Sequence, residues 1–196
     1  MKKIVFPLLA ICLVSLSSCK DEAKKVQEAE EVVVEETKKV LSAKPQVDAQ
    51  VSFALESRSG SSAVGKVSFV QVGEKVTFEA NVFGLEPGTH AIHIHEKADC
   101  SSEDGKSTGG HWNPTFTAHG KWGEGEYHKG DIGNFVADAK GEGKISLETD
   151  EWCIGCPDDK KNILGKAIIV HQGTDDFTSQ PSGAAGARVS CGGIIR

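Results

Sequence analysis

The sequence has little positive charge and no apolar stretch of membrane-spanning length. Its 22 lysines and arginines are outnumbered by 28 acidic residues, which gives a net charge of −6. This argues against nucleic acid as a partner, because proteins that bind nucleic acids usually present a basic face. The apolar run at residues 4–14 is too short for a transmembrane helix, which needs about 20 residues. No internal repeat is visible.

The first 18 residues predict an export signal. Lys2 and Lys3 precede the apolar run, as in secretory signal peptides. Residues 16–19, Leu-Ser-Ser-Cys, resemble the lipobox of bacterial lipoproteins, in which the cysteine becomes the lipidated first residue; an ordinary signal peptide cleaved nearby is the alternative. We therefore expect removal of residues 1–18 and a lipid on Cys19, which leaves a net charge of −8. The protein is then exported and lipid-anchored in the bacterial cell envelope, facing the periplasm or the cell surface.

Residues 19–46 have the composition of a solvated tether between lipid and domain. They are rich in lysine, glutamate, valine and alanine, and they contain no glycine and no aromatic residue. Charges on every side leave little surface to bury. The beginning of this segment, Lys20-Asp21-Glu22, resembles a signal that sends lipoproteins to the cell surface in one group of Gram-negative bacteria. The folded domain is predicted to span residues 47–196.

From residue 47 onward the sequence predicts an all-β domain. Apolar and polar residues alternate around Val51 and Phe53, and again around Val76 and Phe78, with the period of a half-buried strand. Eight short strands separated by glycine-rich turns, with no helix, are typical of a β-sandwich or barrel. The strands are predicted near residues 51–55, 65–72, 76–82, 88–95, 133–139, 144–149, 166–171 and 188–194.

Histidine is scarce but strongly clustered. The chain has seven histidines, and six of them lie between residues 93 and 171. His93 and His95 are two apart on a predicted strand, so both point to one face while Ile92 and Ile94 point to the other. This arrangement delivers two imidazoles to one ion and keeps an apolar face for packing.

A second group of potential ligands follows in a loop. His111, His119, His128 and Asp131 lie in a segment rich in glycine that has no apolar periodicity, so a ligand is the main reason to expect order there. Three imidazoles and a carboxylate suit structural zinc, which prefers a closed tetrahedral set. Imidazoles without a thiolate or thioether nearby suit Cu(II) in the first group. The sequence therefore predicts two metal sites.

These motifs resemble copper/zinc superoxide dismutases, and most closely the secreted bacterial branch. The similar segments are His-Ile-His at 93–95, Gly-Gly-His-Trp-Asn-Pro at 109–114, the spacing of the second group, and Gly-Ala-Ala-Gly-Ala-Arg-Val-Ser-Cys-Gly-Gly-Ile at 183–194. The resemblance covers residues 47–196 and implies an eight-stranded Greek-key sandwich or barrel with long metal-binding loops. It assigns copper to His93, His95, His111 and His171, and zinc to His111, His119, His128 and Asp131.

The resemblance also implies how the site works. His111 bridges the two ions, and Arg188 guides the substrate superoxide, which is converted to oxygen and hydrogen peroxide. Asp175 matches the family aspartate that bonds one histidine of each metal, here His93 and His119. Such acceptors orient the imidazole rings and raise their basicity.

Four cysteines remain once Cys12 and Cys19 are set aside, and they predict disulfides, because an even number in an exported domain usually pairs. Four cysteines permit three pairings. The resemblance implies Cys100–Cys191, which leaves Cys153 and Cys156 for each other. A redox-active or zinc-binding pair lacks its usual context here, namely a helix start or two further ligands. We therefore expect a local disulfide that stiffens a loop.

Two questions remain, namely which residues attract superoxide to the site and where the seventh histidine lies. Residues 172–187 contain no lysine, unlike many relatives. Attraction of superoxide is therefore expected from Arg188 and the copper, with Lys121 or Lys129 as possible helpers. His90 is predicted to be a surface or turn residue.

A second function is compatible with the same motifs. The domain could be a non-catalytic extracytoplasmic copper/zinc-binding or metal-delivery protein that kept the fold. Such relatives usually lose a copper ligand or the arginine, whereas this chain keeps every implied ligand and Arg188. The sequence leaves open whether the protein is a monomer or a homodimer.

Overall fold

The computed structural model describes residues 46–196. These residues form the eight predicted strands and one 3-10 turn, Lys106–Thr108, which the sequence did not predict. The predicted signal peptide, Cys19 and the tether up to residue 45 lie outside the described residues. Within residues 46–196, no helix is long and apolar enough to cross a membrane. The strands are β1 Ala49–Ser57, β2 Val64–Val72, β3 Lys75–Phe83, β4 Gly88–His95, β5 Gly133–Ala137, β6 Gly143–Thr149, β7 Ala167–His171 and β8 Arg188–Gly193.

The strands close into one antiparallel barrel. Their order is β1-β2-β3-β6-β5-β4-β7-β8, and β8 pairs again with β1. The connection from β3 to β4 passes over β6 and β5, and the connection from β6 to β7 passes over β5 and β4. These crossings are Greek-key connections. The structure therefore confirms the predicted class and gives a closed barrel rather than an open sandwich.

The interior of the barrel follows the alternating pattern of the sequence. In β3, Val76, Phe78, Ala80 and Val82 are fully buried, while the residues between them are partly exposed. Phe69 of β2 packs on Phe78 with 5.1 Å between ring centroids. Burial of each such large side chain contributes roughly 1.5–3 kcal/mol. The apolar period of two thus determines which face of each strand points inward.

Two neighbouring strands, β4 and β7, carry three of the predicted ligands on their outer face. Ile92 and Ile94 of β4 belong to the core, which directs His93 and His95 outward. The two strands pair with His93 opposite Ile169, and a register irregularity lies between Val170 and His171. The period of the strands therefore gathers three histidines on one side of the barrel wall.

Two long connections cover this outer face. They are residues 96–132, between β4 and β5, and residues 172–187, between β7 and β8. A disulfide between Cys100 and Cys191 ties the first connection to β8, and a second disulfide joins Cys153 to Cys156 between β6 and β7. These are the two pairings that the sequence analysis expected.

His90 is not the surface or turn residue that the sequence predicted. It lies in β4 and is 4% exposed. Its Nδ1 lies 2.9 Å from the carbonyl oxygen of His171, and its Nε2 lies 2.8 Å from that of Glu86. His90 therefore links the β3–β4 turn to the end of β7. The prediction failed because the burial of the ring and its bond to His171, 81 residues away, depend on the tertiary fold.

Candidate metal centre

The structure gathers seven buried donor side chains into two groups that share one member, His111. Within each group, one ligand atom from every residue lies within 4.8 Å of all the others. The two groups have the same members as the sets that the sequence assigned to copper and zinc. They are His93, His95, His111 and His171 in the first group, and His111, His119, His128 and Asp131 in the second.

The long loop reaches this position because its backbone is joined to β4. Trp112 N donates to Ile94 O at 2.8 Å, and Ile94 N donates to Gly130 O at 2.9 Å. His111 forms an isolated β-bridge with His95, which places its ring beside the strand histidines. The loop therefore has backbone contacts that order it, in addition to any bound ion.

One ring nitrogen of each donor histidine forms no hydrogen bond in the protein, although those of His119 and His128 lie 2.9 and 3.2 Å from oxygens of Asp131. Among the described side chains, the buried side-chain nitrogens and oxygens without a hydrogen bond are all histidine ring nitrogens. Burying a polar atom without a partner costs about 1–3 kcal/mol, a cost that a bound ion would remove. The donors fit the two metals, since one group offers only imidazoles and the other adds a carboxylate. The nitrogens are His93 Nδ1, His95 Nε2, His111 Nε2, His119 Nδ1, His128 Nδ1 and His171 Nε2.

In several of these rings the other nitrogen is held by an acceptor. His95 Nδ1 donates to Gly109 O at 3.0 Å, and His93 Nε2 donates to Asp175 Oδ2 at 2.9 Å. A neutral ring that donates from one nitrogen keeps its lone pair on the other, which is the atom that binds a metal. The hydrogen bonds therefore place both lone pairs on the atoms that face the first group.

Asp175 connects the two groups and is itself held firmly. Its Oδ1 lies 2.9 Å from His119 Nε2, while Oδ2 bonds His93 as described. The side chain of Asn134 accepts from Asp175 N and donates to Asp175 O, both at 2.8 Å. Gly183 has φ +65°, and a Cβ there would overlap Asp175 Oδ1. Only glycine leaves room for this carboxylate.

Gln180 is a further supporting residue that sequence reasoning missed, as it missed Asn134. Its Oε1 accepts from His119 N and its Nε2 donates to His119 O, both at 2.9 Å. These contacts join positions 61 residues apart. No local pattern signals them.

Burial keeps the first group in the form that binds metal. In the metal-free protein, burial lowers the pKa of His93 despite its bond to Asp175, and it lowers the pKa of His95 and His171 further with help from neighbouring imidazoles. Burial and the charge of His93 lower the pKa of His111 to about 4. All four rings are therefore neutral at pH 7, with lone pairs available.

The second group combines an ionised carboxylate with a more basic histidine. Burial opposes ionisation of Asp131, but close contacts with the rings of His111, His119 and His128 lower its pKa below the usual range. Burial also opposes protonation of His119, yet its close contacts with Asp131 and Asp175 raise its pKa to about 9. The carboxylate supplies the negative charge that a divalent cation requires.

Arg188 lines a cleft of about 610 Å³ that leads to His95, His111 and His171. Its Nη1 donates to Gly105 O at 2.9 Å and to Thr108 Oγ1 at 3.0 Å. The 3-10 turn thus holds the guanidinium at the cleft. The position is suited to binding a small anion beside the first group.

The lysine at this cleft differs from those that the sequence suggested. Lys106 lines the cleft, with its Nζ 2.9 Å from Asp104 Oδ2. Lys121 is paired with Glu124, and Lys129 is paired with Glu151; neither lines the cleft. Neither of the suggested helpers lines the cleft, whereas Lys106 does. Lys106 was missed because it lies in the other loop, 82 residues before Arg188 in the chain.

Comparison with known proteins agrees with this geometry. Residues 63–194 match the family described as copper/zinc superoxide dismutase (SODC). The chain is 34% identical over 137 residues to the extracellular Cu-Zn superoxide dismutase of Caenorhabditis elegans, covering 67% of this chain and 60% of the nematode protein. It is 32% identical over 139 residues to the copper chaperone for superoxide dismutase of Homo sapiens, covering 67% of this chain and 48% of the human protein.

A solved structure shows the same likeness. A double mutant of a SOD-like protein from Bacillus subtilis is similar with a TM-score of 0.66 and 31% identity, covering 74% of this chain and 97% of that one. The family match spans most of the barrel and both groups of donors. The matched family and the two donor groups of this chain are both consistent with copper and zinc as cofactors. The chain belongs to the copper/zinc superoxide dismutase family.

Proposed function

We propose that this protein disproportionates superoxide to oxygen and hydrogen peroxide. The observation that carries the proposal is that Arg188 lines a cleft that leads to two complete donor groups, which share His111. We assign copper to the four-histidine group and zinc to the group that contains Asp131.

The described residues have distinct parts in this reaction. A bound copper ion would supply one-electron chemistry, in which one superoxide is oxidised to oxygen and a second is reduced, with two protons, to hydrogen peroxide. Arg188 attracts and orients the anion. His111 faces the zinc group through Nδ1, 2.8 Å from Asp131 Oδ1, and its Nε2 is the atom that can hold a proton toward the copper group.

A metal-binding or metal-delivery role is the second candidate. The similarity to the human copper chaperone supports it. The geometry favours the enzyme, because delivery needs neither an anion-binding arginine in the cleft nor a histidine shared by two buried donor groups.

Measuring superoxide dismutation at known metal content distinguishes the two functions. We expect the rate of superoxide dismutation by the wild type to rise in proportion to bound copper. His171→Ala removes one donor, so its copper content and its rate should both fall by at least about tenfold, in line with the 10–100-fold effects of disturbing a metal site. Zinc-only wild type is the control for background activity. Full loading of copper without dismutation would contradict the enzyme and support delivery.

We also propose an exported location. Residues 1–18 would be the lipoprotein signal peptide, Cys19 the lipidated residue, residues 19–46 the tether and residues 47–196 the enzymatic domain. The similarity to an extracellular relative supports export. The lipid would hold the domain on the bacterial cell envelope, at its periplasmic face or the cell surface.

A further inference from the structure

We propose that Glu151 and Trp152, outside both donor groups, position His128 and thereby determine how tightly the second group holds zinc. This inference rests on the proposed assignment of zinc to that group. It gives the segment between β6 and β7 a role in metal retention, although none of its residues belongs to either donor group.

The carboxylate of Glu151 holds both chain neighbours of His128. Tyr127 Oη donates to Glu151 Oε1 at 2.6 Å, and Lys129 Nζ forms an ion pair with Glu151 Oε2. Glu151 is partly buried, and its side chain is 27% exposed. A charged acceptor with limited solvent access makes stronger hydrogen bonds than an exposed one. The residues on either side of the ligand are therefore fixed to the same group.

Trp152 adds a third attachment and anchors it in the core. Its indole Nε1 donates to Lys129 O at 2.9 Å. The side chain is 1% exposed and packs edge-on against Phe69 and Phe78, with ring centroids 6.0 and 6.3 Å away. The backbone just after His128 is therefore attached to the interior of the barrel.

The other side of the same loop is packed against this anchor. Trp122, which lies between His119 and His128 in the chain, has its ring centroid 5.1 Å from that of Trp152 and 5.2 Å from that of Tyr127. The loop between these two ligands is thus held by an aromatic contact as well as by Glu151. Nothing comparable is needed for His93 or His95, because β4 places them.

The second group depends on Glu151 because a loop, rather than a strand, carries its histidines. The histidines that belong only to this group lie in residues 112–132, which contain no regular strand or helix. Replacing a residue that orients a metal ligand typically costs 10–100-fold in affinity. Glu151 acts through the neighbours of the ligand, so the expected effect is at the low end of that range.

The adjacent disulfide has a separate role. Cys153 N donates to Lys161 O at 2.8 Å, and Ile154 N donates to Gln71 Oε1 at 2.8 Å. These bonds and the burial of Trp152 hold the segment without help from the Cys153–Cys156 bond. Replacing both cysteines by serine should therefore leave zinc affinity nearly unchanged.

The test measures zinc affinity by competition with a chelator. Glu151→Ala should raise the zinc dissociation constant about tenfold, which corresponds to about 1.4 kcal/mol. Tyr127→Phe removes one hydrogen bond while keeping the ring, so it should give a smaller rise, and it remains informative if the first variant folds poorly. Glu148→Ala is the matched control, because it removes an exposed ion pair with Lys75 away from the loop.

Two further readouts separate positioning of His128 from general loosening of the fold. Co²⁺ bound in the zinc group should show a changed visible absorption spectrum in Glu151→Ala. Copper affinity should stay within about twofold of the wild-type value, because β4 and β7 position the histidines that belong only to the copper group. Unchanged zinc affinity and Co²⁺ spectrum would overturn the proposal, as would equal losses for zinc and copper. If His128→Ala bound zinc as tightly as the wild type, the zinc assignment would fail, and this inference with it.

Discussion

Asp175 Oδ1 lies 2.9 Å from the Nε2 of His119, and the other oxygen of the same carboxylate lies 2.9 Å from the Nε2 of His93. One buried side chain therefore orients a donor in each group. A substitution at Asp175 therefore affects ligands of both metal groups. This coupling separates Asp175 from Glu151, which acts on the second group alone.

We predict that Asp175→Asn weakens both copper and zinc binding by about 10–100-fold, as expected for loss of a group that orients metal ligands. An amide has one acceptor oxygen and no charge, so one ring loses its acceptor and the other keeps only a weaker, neutral one. Metal titration with a chelator competitor measures the two affinities. Asp138→Asn in the β5–β6 turn is the control, and loss of only one metal would contradict the coupling.

Arg188→Glu should slow dismutation by about tenfold or more, a change of about 1.4 kcal/mol in the barrier. The reason is that a negative side chain would repel the anion beside the copper group. Lys106→Glu should give a smaller effect that disappears at high salt, because Lys106 is exposed and exposed charges are screened. Rates measured against ionic strength test both variants. Lys121→Glu, outside the cleft, should behave like the wild type.

Loss of the Cys100–Cys191 bond should lower the free energy of unfolding by about 4–5 kcal/mol, because the bond closes a long loop in the unfolded chain. The two cysteines are 91 positions apart. Urea unfolding of the Cys100→Ser/Cys191→Ser variant measures this change. The Cys153→Ser/Cys156→Ser variant, whose cysteines are 3 positions apart, is the control and should lose little. Equal losses from both variants would contradict the loop-length argument.

The metal-free protein should lose stability as the pH falls from 7 to 5. The buried histidines of the first group have lowered pKa values in the folded state, so the unfolded chain binds more protons below about 6.5. His119, with its pKa raised to about 9, contributes stability that is complete only below about pH 6.5 and declines as the pH rises toward 9, so it opposes this trend slightly near pH 7. Thermal midpoints across pH 5–7 test this, and a flat profile would contradict it.

Lipid attachment at Cys19 is predicted to place the protein in the membrane fraction. Mass spectrometry of that fraction should find an acylated Cys19, and Cys19→Ser should release soluble protein. Wild-type protein that is soluble and cleaved elsewhere would contradict the lipobox interpretation. Protease treatment of intact cells then distinguishes the cell surface from the periplasm.

The sequence alone determined the strands and the members of the metal groups. The period of two in segments such as residues 76–82 marks one buried face, and this local property predicts a strand wherever the segment lies. The histidine pair on β4 follows from the same period. The spacing of the loop ligands was interpretable because it resembled a known family, which assigned each residue to a metal.

Tertiary structure decided what holds those ligands in place. Gln180 reaches the backbone of His119 across 61 residues, and Glu151 bonds Tyr127 across 24 residues. A hydrogen bond between distant positions leaves no periodicity in the chain, so nothing local distinguishes these side chains from exposed polar residues. His90 was misassigned for the same reason. The sequence determined which side chains can bind metal, whereas the closed barrel and its two loops decided which others hold them there.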